Sequence, residues 1–138
     1  PAHALSGGQK KQVAIADILV MHPEVMILDE PAAALDPKHT RIVEEIIERL
    51  TDKGITVLMA THDMDYAFAW ADEIILMKDG QVIKEGSPGE VCGDREALGR
   101  TNLEPPAVLT IYEKMLEKNL LKRGGTPPKN IRELEEML

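Results

Sequence analysis

A chain of 138 residues with 43% apolar content holds one ordinary domain at most and enough apolar side chains for a core, which excludes a disordered tail and a multi-domain chain. Sixteen Lys and Arg against 24 Asp and Glu leave a formal net charge of −8, so the basic field that nucleic-acid binding usually needs is missing and no nucleic-acid partner is expected. No apolar run approaches the ~20 residues that span a bilayer, and the start at Pro1-Ala2-His3 has neither region of a signal peptide, so the chain reads as cytosolic or as a piece of something cytosolic, and the absence of an initiator Met points to a cut fragment.

Taken in order, Ser6 is a good N-cap, and Lys10 to Met21 turns apolar on nearly every face, which predicts a helix that becomes buried as it runs and ends at His22-Pro23. Val25-Met26-Ile27-Leu28 is a short continuous apolar run meeting Asp29-Glu30-Pro31, the pattern of a buried parallel strand with two carboxylates at its C-terminal end. Asp36-Pro37 opens a helix in which Ile42, Val43, Ile46, Ile47 and Leu50 form a core stripe while Glu44, Glu45, Glu48 and Arg49 face water. After Gly54, Ile55 to Ala60 is a second buried strand, ending in Thr61-His62-Asp63 and followed by a short Ala-rich helix through Ala71. Glu73 to Met77 is a third strand, Asp79-Gly80 a hairpin turn and Gln81 to Glu85 its antiparallel partner. Alternating strands and helices give an α/β fold with parallel strands, flanking helices and a C-terminal antiparallel hairpin. Gly and Pro at 86, 88, 89, 93 and 99 mark a looser segment. Pro105-Pro106 then introduces a helix with the stripe Val108, Ile111, Tyr112, Met115, Leu116 and Leu120, ended by Gly124-Gly125, before a last short helix from about Asn130 to Leu138. The division expected is 1–92 for the α/β part and 93–138 for a helical extension.

Parallel sheets carry ligand sites at the carboxyl ends of their strands. Asp29 and Glu30 arrive there together. On an extended chain their side chains point to opposite sides, one toward a hydrated Mg²⁺ and the other toward a water. The tripeptide alone is equally a strand end and turn. Leu5-Ser6-Gly7-Gly8-Gln9 is a Gly-rich loop entering a helix N-terminus, where backbone N–H groups and the helix dipole attract phosphate. In isolation it also reads as a plain N-cap. Order is more specific than either piece: this loop, a helix, an apolar strand into Asp29-Glu30-Pro31, then Ala34-Leu35-Asp36-Pro37, then a strand ending at His62.

That series resembles the C-terminal half of an ATP-binding-cassette ATPase. Leu5 to Gln9 resembles the signature, Val25 to Glu30 the Walker B strand, Ala34 to Asp36 the D-loop and His62 the switch histidine. The resemblance covers about residues 1–90 and implies a P-loop NTPase sheet, here partial, with ATP and Mg²⁺ as cofactors. It implies that Asp29 holds Mg²⁺ through water, Glu30 polarises the attacking water, His62 contacts the γ-phosphate and holds the geometry of Glu30, and Asp36 links two sites across a dimer. It also implies that Leu5, Ser6, Gly7, Gly8 and Gln9 meet the γ-phosphate bound by a second ATPase subunit, identical or different. Ala32 and Ala34 stand where such proteins often show Thr and Gly. No G-x-x-x-x-G-K-[ST] loop, Gln-loop strand or adenine-stacking aromatic is present, so this stretch should not hydrolyse ATP alone.

Asn102 to Pro106 with the following helix resembles the C-terminal region of energy-coupling-factor ATPases of the cobalt and nickel uptake type. This implies transport ATPase activity, a membrane-embedded transporter subunit as partner, and a peripheral place on the cytoplasmic side of the membrane, with vitamin as another cargo class. A generic helical extension is the plain alternative. Two other classes stay open: a DNA-repair or chromosome-organising cassette ATPase, and a non-catalytic dimerisation module. His3, His22 and His39 read as surface residues, Cys92 as a small apolar filler that cannot form an internal disulfide, and the seven Met as core packing.

Overall fold

The computed structural model describes residues 6–121 and 124–138. Two compact units divide the chain, one ending at Thr61 and the other running from His62 to Leu138.

The first unit pairs two helices with a two-stranded parallel sheet. Helix α1, Gly7–Leu19, starts at Ser6, whose extended backbone and side chain close a capping box with Gln9. Strand β1, Val25–Asp29, and strand β2, Thr56–Ala60, pair in register, with Ile27 opposite Leu58 and Asp29 opposite Ala60. Between them in sequence lies α2, Pro37–Asp52, capped by Asp36 with Pro37 in its first turn, where the fixed φ of proline suits a helix and its missing N–H costs nothing. Val43, Ile47 and Leu50 of α2 are buried, each contributing about 1.5–3 kcal/mol by leaving water. Two expectations fail here. Val25, Ile27 and Leu58 are exposed while Met26 and Leu28 are buried, so β1 buries one face only, and among the described large apolar side chains of α1 only Ile15 is buried, while Val13 and, just past the helix, Val20 and Met21 are exposed. The apolar run tells of affinity for a core and not of how many layers arrive to cover it.

The second unit begins with α3, Met64–Trp70, capped by Asp63. Strands β3, Ile74–Lys78, and β4, Gln81–Gly86, form the expected antiparallel hairpin, irregular between Leu76 and Met77. Positive φ at Asp79 and Gly80, 51° and 77°, is the tight turn that matches strand twist. The segment expected to be loose is instead two short helices, α4, Pro88–Cys92, and α5, Arg95–Thr101. Its Gly and Pro are helix punctuation: Pro88 sits in the first turn of α4 after Ser87, which shares a capping box with Glu90, and Gly93 is the C-cap. Helix α6, Ala107–Glu117, stops before Leu120, and Ile111 is exposed where Leu109 is buried. Helix α7, Ile131–Glu135, begins at Asn130. One core, including Phe68, Leu76, Cys92, Leu98, Val108, Tyr112 and Leu134, runs through the unit, and it continues across residue 92.

Candidate functional site

In the first unit the candidate side chains lie at helix starts and at the C-terminal end of β1. Ser6 Oγ accepts from the Gln9 N–H at 3.3 Å and Gln9 Oε1 accepts from the Ser6 N–H at 2.9 Å. Both side chains are therefore engaged in shaping the start of α1, and the groups left pointing along the helix axis for an anion are backbone N–H groups of the first turn. Gly7 and Gln9 are exposed and Gly8 is buried. Leu5, like His3, lies outside the described residues.

Asp29 ends β1 and is exposed. Glu30 departs from the expected extended chain: its φ is 43°, a left-handed conformation costly for a residue with a Cβ. The two carboxylates are separated by this turn of the backbone and not by strand alternation. Two hydrogen bonds fix Glu30 to the end of β2. Its N–H donates to the Ala60 carbonyl at 2.9 Å and its Oε2 accepts from Thr61 Oγ1 at 3.1 Å. Thr61 was not singled out by sequence reasoning, and its position at the end of a strand beside the one carrying Glu30 is the signal that could have found it.

Asp36 uses both carboxylate oxygens. Oδ1 accepts from the N–H groups of Lys38 and His39 at 3.0 and 3.1 Å, and Oδ2 lies 2.6 Å from His39 Nδ1. The His39 ring, then the backbone N–H groups, hold the Asp36 carboxyl below its ordinary value of 3.8. His39 is half-buried and not simply a surface residue. Its ring lies against Gly8, where an added Cβ would stand 2.5 Å from His39 Cδ2.

In the second unit His62 lines an open cavity of about 560 Å³ with Asp63, Asp65, Glu104, Pro105 and Thr110. Asp63 caps α3 by accepting from the Tyr66 N–H at 3.0 Å, and Asp65 Oδ1 accepts from the Ala107 N–H at 2.7 Å. The start of α6 has no side-chain cap of its own, so Asp65 serves as one from a distant element.

Among the described residues no three His, Cys, Asp or Glu gather as a metal cluster. A Mg²⁺ ion keeps several waters and takes one or two protein carboxylates plus phosphate oxygens. Exposed Asp29 is available for such a water-mediated contact. No described helix is long and apolar enough to cross a membrane.

A family model described as ABC transporter matches residues 1–33. An energy-coupling factor transporter ATP-binding protein EcfA2 of Methanospirillum hungatei is 40% identical over 131 residues, covering 95% of this chain and 33% of the relative. The EcfA protein of Methanocaldococcus jannaschii is 45% identical over 119 residues, covering 86% of this chain and 43% of the relative. Among solved structures, CbiO1 of Clostridium perfringens, part of the ABC transporter complex CbiONQ, superposes with a TM-score of 0.61 at 42% identity over 85% of this chain and 45% of that one. The chain thus spans a third to under a half of the length of these relatives. These relatives, and an α/β fold shared with solved ABC ATPases, place the chain in the ABC transporter ATPase family.

Proposed function

We propose that the protein carrying this chain is the ATP-hydrolysing subunit of an energy-coupling-factor importer, with cobalt or nickel as cargo. The observation that carries the reading is Glu30, set in a strained conformation at the end of β1 with its carboxylate oriented by the Thr61 hydroxyl. A carboxylate so placed accepts a proton from water as the water oxygen attacks the γ-phosphorus and the bond to the β-phosphate oxygen breaks, releasing ADP and phosphate. Bound Mg²⁺ supplies charge neutralisation at the phosphate oxygens, and Asp29 would hold it through a water. His62 would contact the γ-phosphate and hold Glu30, and the first turn of α1, from Ser6 to Gln9 with Leu5 before it, would meet the γ-phosphate held by a second ATPase subunit. Asp36 would communicate between the two sites. Nucleotide handling would extend to residue 92, with 93–138 as a helical extension. The transporter class rests on the likeness to energy-coupling-factor proteins and CbiO1, and the cargo on the resemblance of Asn102 to Pro106 and the helix after it to the cobalt and nickel uptake type. The same likeness supports a membrane-embedded partner and a peripheral place on the cytoplasmic face.

Glu30→Gln in the full-length protein tests the site. Hydrolysis is expected to fall by about 10²–10⁴ with ATP binding retained, because the change removes the proton acceptor and little else. Single-turnover hydrolysis and calorimetric affinity decide it, and unchanged hydrolysis overturns the assignment. The 138 residues alone serve as the control. They carry no phosphate-cradling Lys loop, so neither hydrolysis nor measurable ATP affinity is expected of them.

A further inference from the structure

The structure joins the D-loop to the signature through a residue that neither motif contains. Helix α2 is anchored by the buried Val43, Ile47 and Leu50, and His39 stands in its first turn. From that turn His39 reaches in two directions. Its Nδ1 lies 2.6 Å from Asp36 Oδ2, and its ring lies on Gly8 so closely that an added Cβ at position 8 would stand 2.5 and 2.7 Å from His39 Cδ2 and Cγ. Any Cβ there forces the ring away, which gives the second signature glycine a steric reason in this chain. The His39 side chain is 27% exposed and that of Asp36 59%. The ring is thus the enclosed member of the pair, and Asp36 presents its carboxylate outward while being gripped from behind.

We propose that His39 is a positioning residue that ties the Asp36 carboxylate to Gly8, so that a shift of the D-loop is passed to the phosphate-facing turn of α1. This inference rests on the ATPase reading above. A ring hydrogen-bonded through Nδ1 and packed against Gly8 through Cγ and Cδ2 cannot follow one neighbour without pressing on the other. Asp36 also caps α2 through Oδ1, so the Oδ2 contact is the one free to transmit movement without unwinding the helix.

Two variants of the full-length protein separate positioning from packing. His39→Leu keeps bulk against Gly8 and loses the hydrogen bond, whereas His39→Asn places an amide nitrogen near the position of Nδ1. For His39→Leu, kcat is expected to fall about ten- to a hundredfold, as for other displacements of a site from a distance, with the KM for Mg-ATP and the melting temperature unchanged. His39→Asn should recover most of the loss. Wild-type kcat in the Leu variant, or an Asn variant as slow as Leu, overturns the proposal. The contact is read independently of activity from the ring-current shift of the Gly8 α-protons in selectively labelled protein. That shift should change in Asp36→Ser, which retains a good N-cap but is too short to hold the ring. A Gly8 shift indifferent to Asp36→Ser overturns the linkage even if Glu30→Gln has already removed the ATPase reading, and a changed shift supports it.

Discussion

Ala34 holds a φ of 59° in the turn that leads from Glu30 to the helix cap at Asp36. A Cβ in the left-handed region meets its own carbonyl and costs roughly 1–2 kcal/mol, while glycine is free of that clash and loses somewhat more chain entropy on folding. Ala34→Gly is therefore expected to stabilise the first unit by about 0.5–1 kcal/mol, read as a higher urea midpoint at unchanged slope. A lower midpoint would show that the turn is not strained at this residue. The positive φ at Glu30 differs in kind, because two hydrogen bonds to the end of β2, one from its backbone and one to its carboxylate, hold that residue there. Asp29, Glu30, Asp36 and the Ser6 cap were legible in the sequence because each belongs to a short local pattern. Thr61 and His39 were not. Thr61 meets Glu30 across 31 residues of chain, and His39 meets Gly8 by tertiary packing, so no window of neighbouring residues contains either relation.

At the scale of elements, α2, α4 and α5 each hold a hydrogen-bonded carboxylate at their start. Asp36 is kept below its ordinary 3.8 first by its hydrogen bond to His39, Glu90 below 4.5 first by the Ser87 hydroxyl, and Asp94 below 3.8 first by the Lys84 ammonium, 2.5 Å away. Groups whose folded pKa is depressed bind protons more tightly in the unfolded chain. Their contribution is complete above the unfolded values and is lost as pH falls through the folded ones. The urea midpoint should thus be flat from pH 7 to about pH 5 and decline on further acidification; a midpoint that holds or rises down to pH 3 would contradict these caps. Cys92 reports on the same region by other means. It is fully buried at the end of α4, and burial, the largest influence, pushes its thiol up to about 11. Thiolate is the reactive form, so labelling by a maleimide at pH 8 is expected to be slow in the native protein and to accelerate sharply in urea as the second unit opens. Rapid native labelling would mean that α4 and α5 detach from the core readily. These two helices escaped sequence reading because each is too short to show an apolar period, leaving only Ser87, Pro88 and Asp94 as capping signals.

At the scale of the whole molecule, the α/β class was legible from the alternation of elements, while the number of layers was not. Periodicity marks a strand as apolar, but coverage depends on what else packs on it. Each sheet has two strands, β1 with β2 and β3 with β4, and two-stranded sheets are marginal unless their faces and edges are covered. In the first unit Ile27 is 71% exposed and its cross-strand partner Leu58 52%. They form a contiguous apolar patch with Val25. In the second unit Ile75 and Met77 of β3 and Val82 of β4 are exposed as well. An exposed strand adds unpaired N–H and carbonyl groups to such a face, and together these invite pairing with another chain. The 138 residues alone are therefore expected to self-associate, through the β1–β2 face or by strand pairing at β2 or β3. Light scattering over a concentration series should show mass rising with concentration, and Ile27→Lys with Leu58→Lys should suppress the rise if the β1–β2 face drives it. Hydrogen exchange over 55–60 and 73–77 locates the contact, since strands that pair between copies gain protection as concentration increases. A monodisperse monomer in which both segments are already protected would mean that these faces are covered within a single chain, and the expectation of association would fall.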